Sequence, residues 1–264
     1  MNLSQRKMKA ERLRRGIYVL PNLMTTMNIF CGYYAVVAAI DGKFVTSAVA
    51  IIIAAVFDML DGKIARVTHT TSRFGVEFDS LADVISFGLA PGILMYLWAL
   101  QPLGRMGWLA AFLFTACGAL RLARFNTQTG TISSEYFNGL PIPAAAGMTA
   151  VTVLLHDQIG LLAVPNTTVM LVMLYVLSFL MVSTVKYYSF KNVGLFRRMN
   201  FNVLVAAVLV VMFIASQPSI ALFSLGLAYL LSGPFTTLRH HRNVKREATS
   251  SQVQKPKTNE NGHS

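Results

Sequence analysis

The sequence predicts an all-α integral membrane protein with about eight transmembrane helices and both termini in the cytoplasm. Three observations carry that expectation. Of 264 residues, 54% are hydrophobic and only 13% charged, roughly half the charged share of about 25% found in soluble domains, and the mean hydropathy is +0.53. Apolar runs near the roughly 20 residues needed to cross a bilayer recur along the chain. The basic residues fall almost entirely in alternate connecting segments. This composition excludes a water-soluble enzyme, a disordered protein and a conventional nucleic-acid binder. The net charge of +12 then suits an anionic membrane surface rather than nucleic acid.

Residues 1–16 carry six basic residues against the single acid Glu11, the pattern of a basic juxtamembrane segment. A transmembrane domain is expected over 17–238, with spans at 18–40, 44–66, 78–100, 107–124, 140–156, 163–185, 201–216 and 218–236. The last two are divided only by Gln217 and Pro218. Residues 239–264 form a basic, polar tail without an apolar run, which predicts disorder. No cleavable signal peptide is expected: the first sixteen residues are too long and charged for its n-region, and no small-residue cleavage site follows. Threading eight spans with a cytoplasmic N-terminus leaves 21 of the 23 Lys and Arg inside, with only Lys43 and Arg105 outside, as the positive-inside rule requires.

Acids are scarce, and they cluster. Five of the eleven, Asp58, Asp61, Glu77, Asp79 and Asp83, fall between 58 and 83. Asp58 and Asp61 are three apart and share a helix face, as do Asp79 and Asp83 at four apart. At the cytoplasmic ends of two adjacent antiparallel spans they make a four-carboxylate cup. Four like charges in a membrane protein need compensating cations. Lys63 and Arg66 could offset part of that charge, and hard divalent ions such as Mg²⁺ or Mn²⁺ would do so more fully through carboxylate oxygens. Gly62 and Ala65 are small enough to let a flat ligand or a backbone approach. Arg66 suits a phosphate, the hydroxyls of Thr68, Thr70, Thr71 and Ser72 could add contacts, and Gly75 is expected at the turn into the third span.

These residues stand as Asp58-x2-Asp61-Gly62-x2-Ala65-Arg66-x8-Gly75-x3-Asp79-x3-Asp83. The pattern resembles the signature of the CDP-alcohol phosphatidyltransferases at all its fixed positions and spacings. The resemblance implies a six-helix family core with two further helices here, and transfer of a phosphatidyl group from a CDP-linked lipid to an alcohol with release of CMP. It implies two divalent metals per active site, one held by Asp58, Asp61 and Asp79 and another by Asp58, Asp79 and Asp83. Asp83 would also be the general base toward the acceptor hydroxyl. By the same resemblance Gly62 and Ala65 meet the cytidine end of CDP-diacylglycerol, Arg66 and Ser72 its phosphates, and the Pro21-Asn22-Leu-Met-Thr25 stretch contributes Asn22 and Thr25 to the donor site. The family is commonly dimeric, and a homodimer in a bacterial inner or cell membrane is the corresponding expectation.

For the acceptor, Arg121 and Arg124 share a face at the end of the fourth span and could hold an anion opposite the cup. Serine carries a carboxylate; glycerol 3-phosphate and inositol phosphate are anionic too. The strings Arg121-Leu-Ala-Arg124-Phe-Asn126 and Gly139-Leu-Pro141-Ile-Pro143-Ala-Ala-Ala146 resemble the phosphatidylserine synthase branch. That implies CDP-diacylglycerol and L-serine as substrates, with Arg121, Arg124, Asn126 and Asn138 near the serine. A cation transporter is the remote alternative, since its polar groups would gather at mid-bilayer. Cys31 and Cys117 lie in apolar stretches and read as packing residues. His69, His156, His240, His241 and His263 have no metal-ligand spacing.

Overall fold

The computed structural model describes residues 3–68, 72–128, 136–160, 165–188 and 216–233, with Val205 and Met212 as isolated positions. The chain runs through α1 (Leu3–Ile40), α2 (Phe44–Val67), a helical run α3 (Arg73–Leu103) and α4 (Arg105–Gln128). Then come a short strand β1 (Tyr136–Asn138), α5 (Ile142–Ile159), α6 (Thr167–Val182), strand β2 (Lys186–Tyr188) and the helix α7 (Pro218–Gly233). Among the described residues, four stretches are long and apolar enough to cross a membrane: Leu20–Ile40, Phe44–Val67, Arg73–Leu103 and Arg105–Thr127. Helices α6 and α7 are apolar but shorter. The expected span 201–216 lies largely outside the described residues, as do the tail and His69, His240, His241 and His263.

Short reversals make successive helices antiparallel. Helix α1 ends at Gly42, whose φ of +75° suits a residue without a Cβ. Its N–H bonds the Ala39 carbonyl and that of Lys43 bonds Ala38, the two bonds of a Schellman cap. Helices α2 and α3 are joined by residues 68–72 alone, shorter than the loop 67–77 that the sequence suggested, because α3 starts at Arg73 rather than near Phe78.

Small residues let α1 and α2 lie close together. Ala35, Ala38 and Ala39 of one and Ala48, Ile51 and Ala54 of the other are buried, the composition that membrane helices use in place of large interdigitating side chains. Ser47 Oγ donates to the Ala35 carbonyl at 2.7 Å. Helix α1 crosses α3 more tightly still: a Cβ on Gly32 would collide with Ser86, whose Oγ donates to the Asn28 carbonyl at 3.0 Å. Large apolar side chains on the outside, such as Phe30, Tyr33, Phe112, Leu120 and Phe179, are more than 60% exposed. That exposure is costly in water and unremarkable against lipid.

Helix α3 is not uniformly α-helical. π-Helical turns occupy Val84–Leu89 and Tyr96–Leu100. Each precedes a proline, Pro91 or Pro102, which has no N–H to give and whose ring clashes with the carbonyl four residues back. The Ala90 N–H reaches back five residues to Ile85, the wide ladder that such turns adopt.

The all-α expectation meets one exception. Strands β1 and β2 pair antiparallel with Phe137 opposite Tyr187. The ladder follows α4 and α6 at the end of the bundle where α2 hands over to α3, and it buries Tyr187 completely. Tyr187 Oη donates to the Leu230 carbonyl at 3.3 Å, and its ring packs on Tyr229 with centroids 5.4 Å apart. The ladder thus fastens α7 to the bundle.

Replacing Gly32 by Leu should force α1 away from Ser86 and destabilise the protein by about 1–3 kcal/mol. Thermal unfolding of the detergent-solubilised protein would register this as a lowered midpoint.

Candidate active site

The handover from α2 to α3 sets the site. Each helix carries two aspartates on one face near this end, and the five-residue connection keeps the faces together. One carboxylate oxygen from each of Asp58, Asp61 and Asp79 lies within 4.8 Å of the others. Asp83, one turn beyond Asp79, is buried, and its carboxyl comes within hydrogen-bonding reach of that of Asp58. Thr25 of α1 donates to Asp61 Oδ2 at 2.9 Å, fixing that carboxylate from a third helix. Asp79 Oδ1 and Asp83 Oδ1 are buried without any hydrogen-bond partner.

Among the described residues no Lys or Arg stands at ion-pair distance from these carboxylates. Among the described residues the ion pair present is Lys43–Asp41 at 3.3 Å, at the opposite end of α2. Lys63 is exposed, and the exposed Arg66 folds back along its own helix, its Nε donating to the Gly62 carbonyl at 2.8 Å. Two like charges within 4.8 Å repel by about 3 kcal/mol at an effective dielectric near 20. Unpartnered buried oxygens and uncompensated negative charge fit an all-oxygen divalent cation site.

The surroundings separate into open and filled positions. A Cβ on Gly62 would meet only Arg66 Nη2, at 3.9 Å, so this glycine is not required by helix packing and leaves an open face beside Asp61. Ala65 is half-buried on the same helix. Asn22 is half-buried on α1, and a Cβ on Gly75 would lie 3.6 Å from its Oδ1. Gly75 does not make the turn into the third span. It sits in the first turn of α3, where its N–H bonds Ser72 Oγ at 3.0 Å. The turn falls to Ser72, whose extended backbone and accepting hydroxyl make it the N-cap. An uncapped α3 would leave its first N–H groups unsatisfied, and serine is among the residues best shaped to meet them. Thr68 Oγ1 is likewise engaged, with the Ile64 carbonyl at 2.7 Å. Thr70 and Thr71 lie outside the described residues.

The four residues expected near the acceptor part company. Arg121 feels the charges of Asp83 and Tyr229, and its Nε is buried without a partner. Arg124 instead donates from Nη1 to the Val182 carbonyl at 3.3 Å, at the end of α6, where a cation also complements the helix dipole. Asn126 Nδ2 donates to Ser80 Oγ at 2.9 Å, tying α4 to α3. Asn138 pairs opposite Lys186 in the ladder. Two neighbours were not singled out from the sequence. Tyr229 arrives from α7, over a hundred positions away in the chain. Asn28 lies fully buried on α1 with both side-chain polar atoms unpartnered, and the signal that could have found it is a polar amide inside an apolar span.

The model of the family described as CDP-alcohol phosphatidyltransferase matches residues 18–182. The chain belongs to this family. Its four aspartates, helices α2–α6 and α1 from residue 18 onward lie within the matched stretch. The CDP-diacylglycerol–serine O-phosphatidyltransferase of Helicobacter pylori is 42% identical over 177 residues, covering 67% of this chain and 75% of that protein. The protein of the same name from Methanocaldococcus jannaschii is 35% identical over 179 residues, 67% of this chain and 78% of its own length. The archaetidylserine synthase of Methanothermobacter thermautotrophicus is 43% identical over 129 residues, 48% of this chain and 54% of the relative.

Replacing Ser72 by Ala should remove the α3 cap at a cost of about 1 kcal/mol. Amide exchange in the first turn of α3 should quicken correspondingly.

Proposed function

We propose that this phosphatidyltransferase moves the phosphatidyl group of CDP-diacylglycerol to the hydroxyl of L-serine, giving phosphatidylserine and CMP. The observation that carries the reading is Arg121, its Nε buried without a partner, which the Thr115–Gly88 and Asn126–Ser80 contacts place at the depth of Asp83, so that a carboxylate-binding cation stands level with the group that would take the hydroxyl proton. The names of the relatives support serine over glycerol 3-phosphate or inositol phosphate. The grouping of the acids at one end of the bundle, rather than at mid-helix, disfavours a transporter.

In this reading Asp58, Asp61, Asp79 and Asp83 would hold divalent cations, two per site, Mg²⁺ or Mn²⁺. Such ions supply neutralisation of the diphosphate and of the charge that leaves with CMP. The chain's own residues do the rest. Thr25 fixes Asp61. The open face at Gly62 and Ala65 receives the cytidine end, with Asn22 and the Gly75 turn of α3 beside it. The Nη groups of Arg66 and the hydroxyl of Ser72 reach the donor phosphates. Asp83 accepts the serine hydroxyl proton, because a neutral alcohol is a poor nucleophile. Arg121 holds the serine carboxylate and so orients the hydroxyl for in-line attack. Arg124, Asn126 and Asn138 border this acceptor side. Displacement is direct, with no covalent enzyme intermediate.

The surrounding architecture follows. The basic asymmetry of the loops supports cytoplasmic termini and an active site open to the cytoplasm. The bundle would carry eight spans within residues 17–238, flanked by the basic segment 1–16 and the tail 239–264. A homodimer in a bacterial inner or cell membrane is part of the same proposal.

Purified protein with CDP-diacylglycerol, Mg²⁺ or Mn²⁺ and a panel of alcohols should release CMP with L-serine. Transfer to glycerol 3-phosphate but not to serine would overturn the acceptor. Asp83→Asn should lower turnover by about 10²–10⁴-fold with the protein still inserted; near-wild-type turnover would remove Asp83 from the base role.

A further inference from the structure

Around Asp83 the bundle holds polar atoms that the protein itself leaves unbonded. Asn28 is fully buried, and neither its Nδ2 nor its Oδ1 has a partner. Asp83 Oδ1 and Arg121 Nε are buried and unpartnered as well. Leaving such groups unsatisfied costs about 1–3 kcal/mol each, so three of them together mark a place where a ligand completes the bonding.

Helix register places all three at one depth. Along α1 and α3, Asn22 lies beside Gly75, and Gly32 lies against Ser86. The two helices therefore run parallel, and Asn28, between those contacts, falls level with Asp83, one turn before Ser86. Ser86 bonds the Asn28 carbonyl, which leaves the amide side chain uncommitted. Helix α4 runs the other way: Thr115 Oγ1 donates to the Gly88 carbonyl at 3.1 Å, and Asn126 bonds Ser80. Arg121 falls between these contacts, again at the depth of Asp83, whose charge it feels. Asn28 and Arg121 thus lie at the depth of Asp83, on α1 and on α4.

We propose that Asn28 is an acceptor-binding residue that recognises the ammonium group of an amino-acid acceptor, a role that rests on the serine reading above. A zwitterionic hydroxy amino acid needs three things: a cation for its carboxylate, a base for its hydroxyl and a hydrogen-bond acceptor for its ammonium. Arg121 and Asp83 meet the first two, and Asn28 Oδ1 meets the third. A neutral amide does so without adding negative charge to a cluster that already repels itself. Asn28 Nδ2 donates to an oxygen of the same ligand. In the reaction the serine oxygen bonds the phosphatidyl phosphorus and the P–O bond to CMP breaks. CMP leaves with the electron pair, and the hydroxyl proton passes to Asp83.

The test uses the full-length protein in lipid–detergent micelles, with Asn28→Ala and the near-isosteric Asn28→Leu. Both should raise KM for L-serine by about 10–100-fold, the worth of one hydrogen bond to a charged group, while KM for CDP-diacylglycerol stays within about twofold of wild type. The wild-type protein should discriminate to a similar degree against 3-hydroxypropanoate, which is serine without its ammonium. An unchanged KM for serine in a folded variant, a fall in kcat alone, or a parallel rise in both KM values would overturn the assignment. Equal use of serine and 3-hydroxypropanoate by the wild type would overturn it too, and this arm decides if neither variant folds. Wild-type protein inactive on serine but active on another alcohol overturns the serine reading along with it. Serine turnover with an unchanged variant KM removes Asn28 alone.

Discussion

Four carboxyl groups gathered at one end of a mostly apolar bundle repel one another, and the described part of the protein sets no cation at ion-pair distance from them. Much of the architecture acts to hold that unfavourable arrangement in place. The five-residue link between α2 and α3 keeps the two aspartate-bearing faces opposed. Thr25 restrains Asp61 from α1, and the Gly32–Ser86 crossing clamps α1 to α3 immediately beyond Asp83. Charge of this kind persists in a folded protein when the surroundings over-determine the geometry and a ligand supplies the opposite sign.

The acceptor side is built by the other helices. Helix α4 brings Arg121 to the depth of Asp83, and its position is fixed by Thr115 on Gly88 and Asn126 on Ser80. The β-ladder holds α7 through Tyr187, and Tyr187 packs on Tyr229 of that helix, whose hydroxyl Arg121 feels electrostatically. Arg121 and Arg124 diverge although they share a helix: one lies at the depth of Asp83 and feels its charge, and the other caps α6 through the Val182 carbonyl.

The aspartate site was the most legible part of the sequence because its spacing is a property of single helices. Residues three or four apart share a face whatever the tertiary fold does, so the pairing of Asp58 with Asp61 and of Asp79 with Asp83 followed directly. The helices themselves were legible from apolar run lengths, with boundaries displaced where local chemistry intervened. Ser72 captured the start of α3 by capping it, and thereby moved Gly75 from the turn into the helix. What could not be read were contacts between distant segments. Nothing in the local pattern distinguishes Arg121 from Arg124, connects Tyr229 to either, or pairs Phe137 with Tyr187. Asn28 stood in plain view as an amide in an apolar run, but its neighbours become identifiable only once the registers of α1 on α3 and of α4 on α3 are known.

The Ser86 hydrogen bond ends on the backbone oxygen of residue 28, not on its side chain. A clamp of that kind is indifferent to what residue 28 is, since every amino acid presents the same carbonyl. The crossing of α1 and α3 and the chemistry displayed at their junction are therefore separable inheritances. Under the role proposed for Asn28, a substitution at this position would change what the acceptor meets while leaving that clamp in place.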